Sequence, residues 1–312
     1  MNPSHTALYP VGPQSGHIFN LWWFLFWLAL VAWAVTMTFA AFAVLRRRRE
    51  PASAGALTRS VALAGGVTVL LLLAILIVSV STGSLLSARS FPPSDAISID
   101  VIGHQWWWEV QYEYSPASDQ VTTANEIHVP VGKPVILKTT SNDVIHSFWI
   151  PNLYGKIDAI PNHSNLIWFR ADKPGVYRGQ CAEFCGLQHA HMGLLVIADP
   201  PAKFESWLAA QRASAATPTD DTLRAGQQVF LNGPCVLCHT IRGTTAAARV
   251  GPDLTHLASR MTIAAATLDN NRGNLGGWIA DSQRIKPGNL MPPVNLPGTE
   301  MQPLLAYLES LK

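Results

Sequence analysis

The sequence is poor in charge: only 13% of its 312 residues are Asp, Glu, Lys or Arg, against roughly 25% in soluble globular proteins. Hydrophobic residues make up 48% of the chain. The net charge of +2 gives no indication of a nucleic-acid partner. Part of this chain must therefore lie in an environment other than water.

Ionisable side chains are missing altogether from two long stretches, Ile18–Leu45 and Val61–Val80. At 1.5 Å per residue, a helix over either stretch crosses a bilayer core of about 30 Å. A helix buried in a soluble core is usually shorter and keeps a polar stripe. The sequence therefore predicts a hairpin of two transmembrane helices, over residues 18–45 and 61–80.

The loop between these stretches, "RRRREPASAGALTR", carries Arg46 to Arg49 and Arg59. Cytoplasmic loops are enriched in Lys and Arg, so this loop is expected inside the cell and the chain after about residue 85 outside. The first 17 residues lack the basic start and cleavage site of a signal peptide. We expect the first span to serve as an uncleaved targeting signal.

Beyond about residue 96 the hydrophobic pattern alternates, as in "ISIDVIGHQWWWEVQYEY" and "NEIHVPVGKPVILKTTS". Short alternating segments separated by Gly, Pro and Asn predict an antiparallel sandwich or barrel, and "PAKFESWLAAQRA" predicts a closing helix. The small polar residues 213–222 predict a flexible linker. Five further segments predict helices of a compact domain: "LRAGQQVFL", "LTHLA", "MTIAAATLDN", "LGGWIADSQRI" and "QPLLAYLESLK". The expected division is 1–90, 91–212, 213–222 and 223–312.

Cysteine is scarce as well, and the four cysteines fall into two clusters outside the membrane. In an oxidising compartment a disulfide is the default expectation for any pair. The second cluster, "CVLCH", has the spacing with which two thiols add to the vinyl groups of a haem while the following histidine binds the iron. This pattern predicts a covalent haem c on Cys235 and Cys238 with His239 as axial ligand, with a thioredoxin-like dithiol as the alternative.

A haem that carries electrons needs a sixth ligand, and three methionines follow His239. Met291 lies in the Pro- and Gly-rich "IKPGNLMPP", whereas Met261 and Met301 lie in or beside helical patterns and are expected in the core. The segments "AGQQVFLNGPCVLCHTI", "GPDLTHLA" and "KPGNLMPP" resemble the all-α class I cytochromes c. The resemblance implies Met291 as the distal iron ligand.

The first cluster, "CAEFCGLQHAHM", combines Cys181, Cys185, His189 and Met192, and His146 lies upstream in "NDVIHSFWIP". Thiolates with imidazoles and a thioether favour copper. Two thiolates, rather than the single one of a blue-copper site, can bridge two copper ions. A structural disulfide between the two cysteines is the alternative.

This constellation resembles the CuA domain of cytochrome c oxidase subunit II, a cupredoxin-like β-sandwich. The resemblance implies that both cysteines bridge two coppers, with His146 and Met192 on one copper and His189 and the carbonyl of Glu183 on the other. It further implies that the Glu183 side chain reaches a magnesium ion shared with subunit I.

Three adjacent tryptophans in "GHQWWWEVQYEY" cannot all face one core, because alternate side chains of a strand point to opposite faces. We therefore expect at least one of them to be exposed. In the resembling family this aromatic run includes the point at which electrons enter from cytochrome c, and Trp106 matches it. One departure lies near the second span, where "TRSVALAGG" lacks the carboxylate found in many subunit II proteins.

Together these resemblances imply a multidomain membrane protein of the caa-type haem–copper oxidases, in a bacterial inner membrane with both external domains on the periplasmic side. Electrons would pass from haem c to the copper pair and on to haem a, for oxygen reduction coupled to proton translocation. The implied partners are subunit I with haem a and CuB, subunit III, membrane lipid, and cytochrome c or a quinol–cytochrome c oxidoreductase as donor. The alternatives are a free-standing membrane electron carrier or a haem sensor. Nitrous oxide reductase shares the copper pattern, but that enzyme needs a large propeller domain for which this sequence has no segment.

Overall fold

The structure, a computed structural model, describes residues 4–46, 53–87, 94–114 and 120–312. Two helices of 33 residues each, α1 (Pro13–Leu45) and α2 (Ala54–Leu86), come first. At 1.5 Å per residue each is about 50 Å long, more than a bilayer core requires. The two predicted apolar helices are confirmed, with extra turns at every end except Leu45. The basic loop residues Arg47–Arg49 lie outside the described residues.

Among the described residues, ten strands follow and form two five-stranded sheets. The strands are β1 (Ile97–His104), β2 (Trp107–Glu113), β3 (Val121–Ala124), β4 (Glu126–Pro130), β5 (Pro134–Ser141), β6 (His146–Trp149), β7 (Ile157–Ala159), β8 (Asn165–Arg170), β9 (Gly175–Cys181) and β10 (Gly193–Asp199). The sheets have the orders β3-β2-β1-β5-β8 and β4-β10-β9-β6-β7. In β1, Ile97, Ile99 and Val101 are buried and alternate with half-buried residues, as a strand with one face on a core requires. The strands and the closing helix α3 (Pro201–Arg212) are called the β domain below.

Both outer ends of the helical hairpin contact the β domain. Ahead of α1, the Ser4 amide donates to Val176 O at 3.0 Å and the Arg178 amide donates to Ser4 O at 2.8 Å. At the end of α2, the Tyr154 hydroxyl donates to Leu86 O. Arg46, at the opposite end of α1, therefore lies on the side away from the β domain, in agreement with the topology predicted from the basic loop.

Residues 220–312 form the C-terminal domain, which has a hydrophobic core of its own. Its helices are α4 (Asp221–Asn232), α5 (Arg272–Ala280), α6 (Ser282–Ile285) and α7 (Gly298–Ser310). Four of the five predicted helical segments are helical, "LTHLA" only as a single turn at Leu257–Ser259.

The helix predicted over "MTIAAATLDN" is wrong. This segment is a hairpin of β11 (Thr262–Ile263) and β12 (Leu268–Asp269), and its turn Ala264–Ala266 has φ of 54°, 58° and 55°. Alanine favours helices locally, but the left-handed turn is held by bonds to the β domain. The Gly193 amide donates to Ala265 O at 3.0 Å.

The predicted flexible linker is also held in place at its beginning. The Ala215 amide donates to Arg242 O at 2.9 Å, and the His256 ring lies 3.1 Å from Ala213 O. The Arg242 guanidinium in turn donates to Gln211 O at the end of α3. Residues 213–215 therefore pack against the C-terminal domain and do not form a free tether.

Helices α4 and α7 cross so closely that one glycine is required. A Cβ at Gly226 would lie 2.0 Å from Pro303 O, whereas a Cβ at Gly277 on α5 meets no described atom within 4 Å. We predict that Gly226→Ala lowers the free energy of unfolding of the C-terminal domain by about 1–3 kcal/mol or more. Gly277→Ala, the control, should leave it unchanged or raise it, since alanine favours a helix. Thermal unfolding followed by haem absorbance measures both; equal stabilities of the two variants would contradict the crossing.

Candidate metal centres

The register of one sheet brings two of the predicted copper ligands together. His146 is the first residue of β6 and Cys181 the last of β9, and these strands pair with Phe148 opposite Cys181. The His146 Nδ1 atom consequently lies 3.9 Å from the Cys181 sulfur. The other predicted ligands come from the loop between β9 and β10, which folds back over this sheet edge.

The loop places its donor atoms around the same point. The two cysteine sulfurs are 3.7 Å apart, and the Cys185 sulfur lies 3.7 Å from His189 Nδ1 and 3.9 Å from Met192 Sδ. The Glu183 carbonyl is 3.2 Å from the Cys181 sulfur. All four cysteines of the chain are free, so the disulfide alternative is not what the structure contains. The six predicted copper ligands share one site.

His191 competes with His189 by sequence but points elsewhere. Its side chain is exposed and its Nδ1 lies 2.8 Å from Gln188 Oε1. Neighbouring residues of the single turn His189–His191 diverge. Of these two histidines, His189 is the one whose ring nitrogen lies close to a cysteine sulfur.

Two residues that sequence reasoning missed orient His146. Asp143 Oδ1 lies 2.8 Å from His146 Nε2, which leaves Nδ1 facing the sulfurs. Gly103 on β1 lies against the ring, since a Cβ there would be 2.6 Å from His146 Cδ2. The carboxylate three residues before a ligand histidine was the available signal, because ligand histidines commonly bond a carboxylate through their second nitrogen.

The electrostatics of the pocket suit a cation. The hydrogen bond between the two sulfurs lowers the pKa of Cys181 far below its ordinary value and raises the pKa of Cys185. Burial acts to lower the pKa of His146, but the hydrogen bonds to Cys181 and Asp143 outweigh it and raise that pKa. A thiolate and two imidazoles with a thioether, nearly all buried, form a soft donor set that fits copper.

The predicted haem ligands line a cavity of about 280 Å³ in the C-terminal domain, next to the β domain. Cys235, Cys238 and His239 lie on one side, and Met291 also faces the cavity. Met261 and Met301 do not line it. Met261 is exposed, so the expectation that it lies in the core is wrong. Met301 is partly buried and packs against the core, as expected.

The cavity has the features that a haem requires. His239 Nδ1 donates to Pro252 O at 2.8 Å, which leaves Nε2 for iron, and burial lowers the pKa of His239 so that the ring is neutral. Gly251 packs on this ring, because a Cβ there would lie 2.7 Å from His239 Cε1. Arg260 lines the cavity, and within the described part of the chain its buried Nε has no hydrogen-bond partner. Its Nη2 donates to Asp253 O. An apolar cavity lined by a guanidinium with one free donor fits a haem with its carboxylates.

Trp106 lies between the two centres. The residue lines the haem cavity, and its Nε1 donates to Cys185 O at 3.0 Å. The expectation that one of the three tryptophans is exposed is wrong: Trp106 is 7% exposed, Trp108 is fully buried and Trp107 is half-buried. The reason is tertiary, since the C-terminal domain covers the Trp106 face that a separate β domain would present to solvent.

Comparison with known proteins agrees with this architecture. Residues 115–198 match the family "Cytochrome C oxidase subunit II, periplasmic domain" and residues 223–312 match "Cytochrome c". A cytochrome c oxidase subunit 2 of Alkalihalophilus pseudofirmus is 37% identical over 98% of this chain and 91% of its own. One from Bacillus sp. PS3 is 32% identical over 70% of this chain and 63% of its own. The solved periplasmic domain of subunit II from Bradyrhizobium japonicum, 33% identical, covers 39% of this chain and 97% of its own, with a TM-score of 0.37.

The fold and the two sites define a membrane-anchored electron-transfer protein with a cupredoxin-like domain and a cytochrome c domain. With the similarity extending over nearly its whole length, the chain belongs to the cytochrome c oxidase subunit 2 family, in the branch with a fused cytochrome c. It is thus a subunit of an oxidoreductase complex, associated with subunit I. Family membership implies copper and haem c, and the two apolar helices anchor the chain with the β domain on the outer side.

The close approach of Gly103 to the His146 ring yields a test of the copper site. We predict that Gly103→Ala weakens copper binding about 10- to 100-fold, as displacement of residues that orient a ligand does. The control is Gly155→Ala, whose Cβ would meet only Ile18 Cδ1 at the ordinary distance of 3.7 Å. Copper content after dialysis measures both. Full copper content in Gly103→Ala would show that the ring does not depend on this contact.

Proposed function

We propose that this chain receives electrons from an external donor at its C-terminal domain and delivers them through Trp106 and the copper site to haem a of subunit I. The observation that carries the proposal is the position of Trp106, which lines the haem cavity while its Nε1 bonds the carbonyl of a predicted copper ligand. When bound, the haem iron and the copper pair each take up and release one electron.

Separate parts of the chain supply the two binding sites. Cys235 and Cys238 would hold the haem through thioethers, and His239 and Met291 would bind its iron. The copper ions would be held by His146, Cys181, Cys185, His189, Met192 and the Glu183 carbonyl. The sulfurs are 3.7 Å apart, which supports a site that bridges two ions.

The side chain of Glu183 is the proposed ligand of a magnesium ion shared with subunit I. Its carboxylate is 45% exposed and lies 3.7 Å from Lys156 Nζ, so it projects away from the sulfurs toward the surface. In the assembled complex, the magnesium ion at the contact with subunit I would replace the Lys156 ammonium as the cation beside this carboxylate. Subunit III, lipid contacts and a cytochrome c or quinol–cytochrome c oxidoreductase donor belong to the same proposal.

Deletion of residues 217–312 tests the route. The β domain has a hydrophobic core of its own, so we predict that copper binding survives. Because Trp106 becomes exposed, turnover of the oxidase should then require added soluble cytochrome c and should fall with ionic strength, as encounters between charged proteins do. Steady-state oxygen consumption at several salt concentrations measures this. Kinetics identical to those of the full chain would contradict the route.

A matched pair of substitutions in the truncated protein separates the route from general damage. Trp106→Phe removes the Nε1 bond to Cys185 O and should slow electron uptake from soluble cytochrome c. Trp107→Phe alters a neighbouring indole whose ring stacks on His104 at 4.3 Å, and should leave uptake close to that of the parent.

A further inference from the structure

The contact between the two external domains is built from many specific bonds. We call it the domain interface, formed by Trp106, Glu126, Arg178, Gln188 and Gly193 of the β domain with Thr262, Ala264–Ala266, Lys286 and Pro287 of the C-terminal domain. Gln188 Nε2 donates to Pro287 O at 2.7 Å and Arg178 Nη1 donates to Ala266 O at 2.9 Å. Most of these bonds end on backbone atoms. Because backbone atoms cannot move as side chains do, the bonds fix how the two domains are placed relative to each other.

Each domain buries one ionisable side chain against the other. Lys286, 3% exposed, donates from Nζ to Trp106 O at 2.8 Å and lies 3.3 Å from Ala264 O. Glu126, also 3% exposed, accepts from the Thr262 amide at 2.8 Å and the Thr262 hydroxyl at 3.1 Å. Glu126 thus bonds the residue two positions ahead of the turn Ala264–Ala266, and Lys286 bonds the first residue of the turn.

The burial of these two side chains carries a cost that an incidental contact would not. Burial lowers the pKa of Lys286 to about 7 and raises the pKa of Glu126, since both groups lose water. A buried charge is tolerated only where hydrogen bonds meet it. A docked arrangement that leaves either residue buried but off its partner would therefore be strongly disfavoured, so the pair selects one docked position of the domains.

The selected position is the one that matters for electron transfer. Lys286 bonds the backbone of Trp106 itself, and it also lines the haem cavity. A Cβ at Gly288, two residues further along, would lie 3.0 Å from Leu187 Cδ1 and 3.8 Å from the Trp106 ring. The segment 286–288 thus lies directly over the tryptophan and beside the loop that carries Cys185.

We propose that Lys286 and Glu126 are positioning residues that fix the C-terminal domain on the β domain in the arrangement that sets the haem cavity against Trp106. The inference rests on the proposed function for its effect on electron transfer, and on the domain interface alone for its structural part. In this arrangement electron transfer needs no domain search. A domain on a free linker would instead return by diffusion, at an effective concentration of about millimolar.

The test uses the intact oxidase complex with Lys286→Met and, separately, Glu126→Leu. Lys133→Met and Glu205→Gln are controls at a half-buried lysine and an exposed glutamate outside the domain interface. Glu126→Gln is the conservative variant, because its carbonyl still accepts from Thr262. Copper and haem spectra establish that each protein carries its cofactors.

Two readouts are taken on each protein. Hydrogen exchange at the Thr262 and Gly193 amides, both bonded across the domain interface, should become at least about ten-fold faster in Lys286→Met and Glu126→Leu. The rate of electron transfer from haem to copper after pulsed reduction should fall at least about ten-fold, as loss of positioning produces. It should also become dependent on solvent viscosity, which a merely local structural defect would not cause. Glu126→Gln and the controls should stay near the parent in both readouts.

Unchanged amide hydrogen exchange in Lys286→Met and Glu126→Leu would overturn the proposal. Faster hydrogen exchange would also overturn it if electron transfer from haem to copper kept the parent's rate and did not depend on viscosity. A different result bears on the proposed function. If the parent protein itself shows no transfer from haem to copper, the proposed route fails, while the exchange rates still decide whether these two residues hold the domains together.

Discussion

The structure depends on the position of one residue, because Trp106 contacts both candidate centres. The residue lines the haem cavity and its Nε1 donates to Cys185 O at 3.0 Å. The surrounding residues are shaped to it: a Cβ at Gly186 would lie 3.0 Å from the ring, and Lys286 bonds its carbonyl. If the C-terminal domain lay elsewhere, Trp106 would be an exposed aromatic residue and the two centres would have no contact in common.

The bonded contact between the external domains is consistent with the small net charge of the chain. Electron-transfer partners that meet by diffusion depend on complementary charge to accelerate encounter. Here the net charge is +2, and the contact between the external domains consists of hydrogen bonds to backbone atoms with two buried ionisable side chains. Such a contact is specified by geometry and not by long-range attraction. The short segment 213–220 between α3 and α4, partly bonded to the C-terminal domain, is consistent with that arrangement.

Much of the fold and of each metal site could be predicted from the sequence, because the signals are local. The membrane spans follow from long uncharged stretches, and the candidate ligands were found because their cysteine, histidine and methionine pattern resembles that of two known families. His146 was the distant member of its set, yet strand pairing places it beside Cys181. The orienting residues Asp143 and Gly103 were less visible, since their role depends on contacts to a ring and not on a motif.

Features that arise from the packing of one domain on another could not be predicted. The segment around Ala264–Ala266 has the composition of a helix, but bonds to the β domain, among them those from Gly193 and Arg178, hold it in a left-handed turn. The burial of Trp106, Glu126 and Lys286 has the same origin. The local sequence of one domain does not determine which surface of the neighbouring domain it will contact. These contacts are therefore visible only in the folded chain.

The most direct test is a pulsed electron-paramagnetic measurement of the distance between the oxidised haem c and the copper pair in the intact complex. A mixed-valence copper signal coupled to the haem iron at one narrow range of distances is the predicted result. A broad range of distances would mean that the C-terminal domain moves on a free linker. The absence of a mixed-valence copper signal from protein that carries its haem would contradict the two-copper site itself.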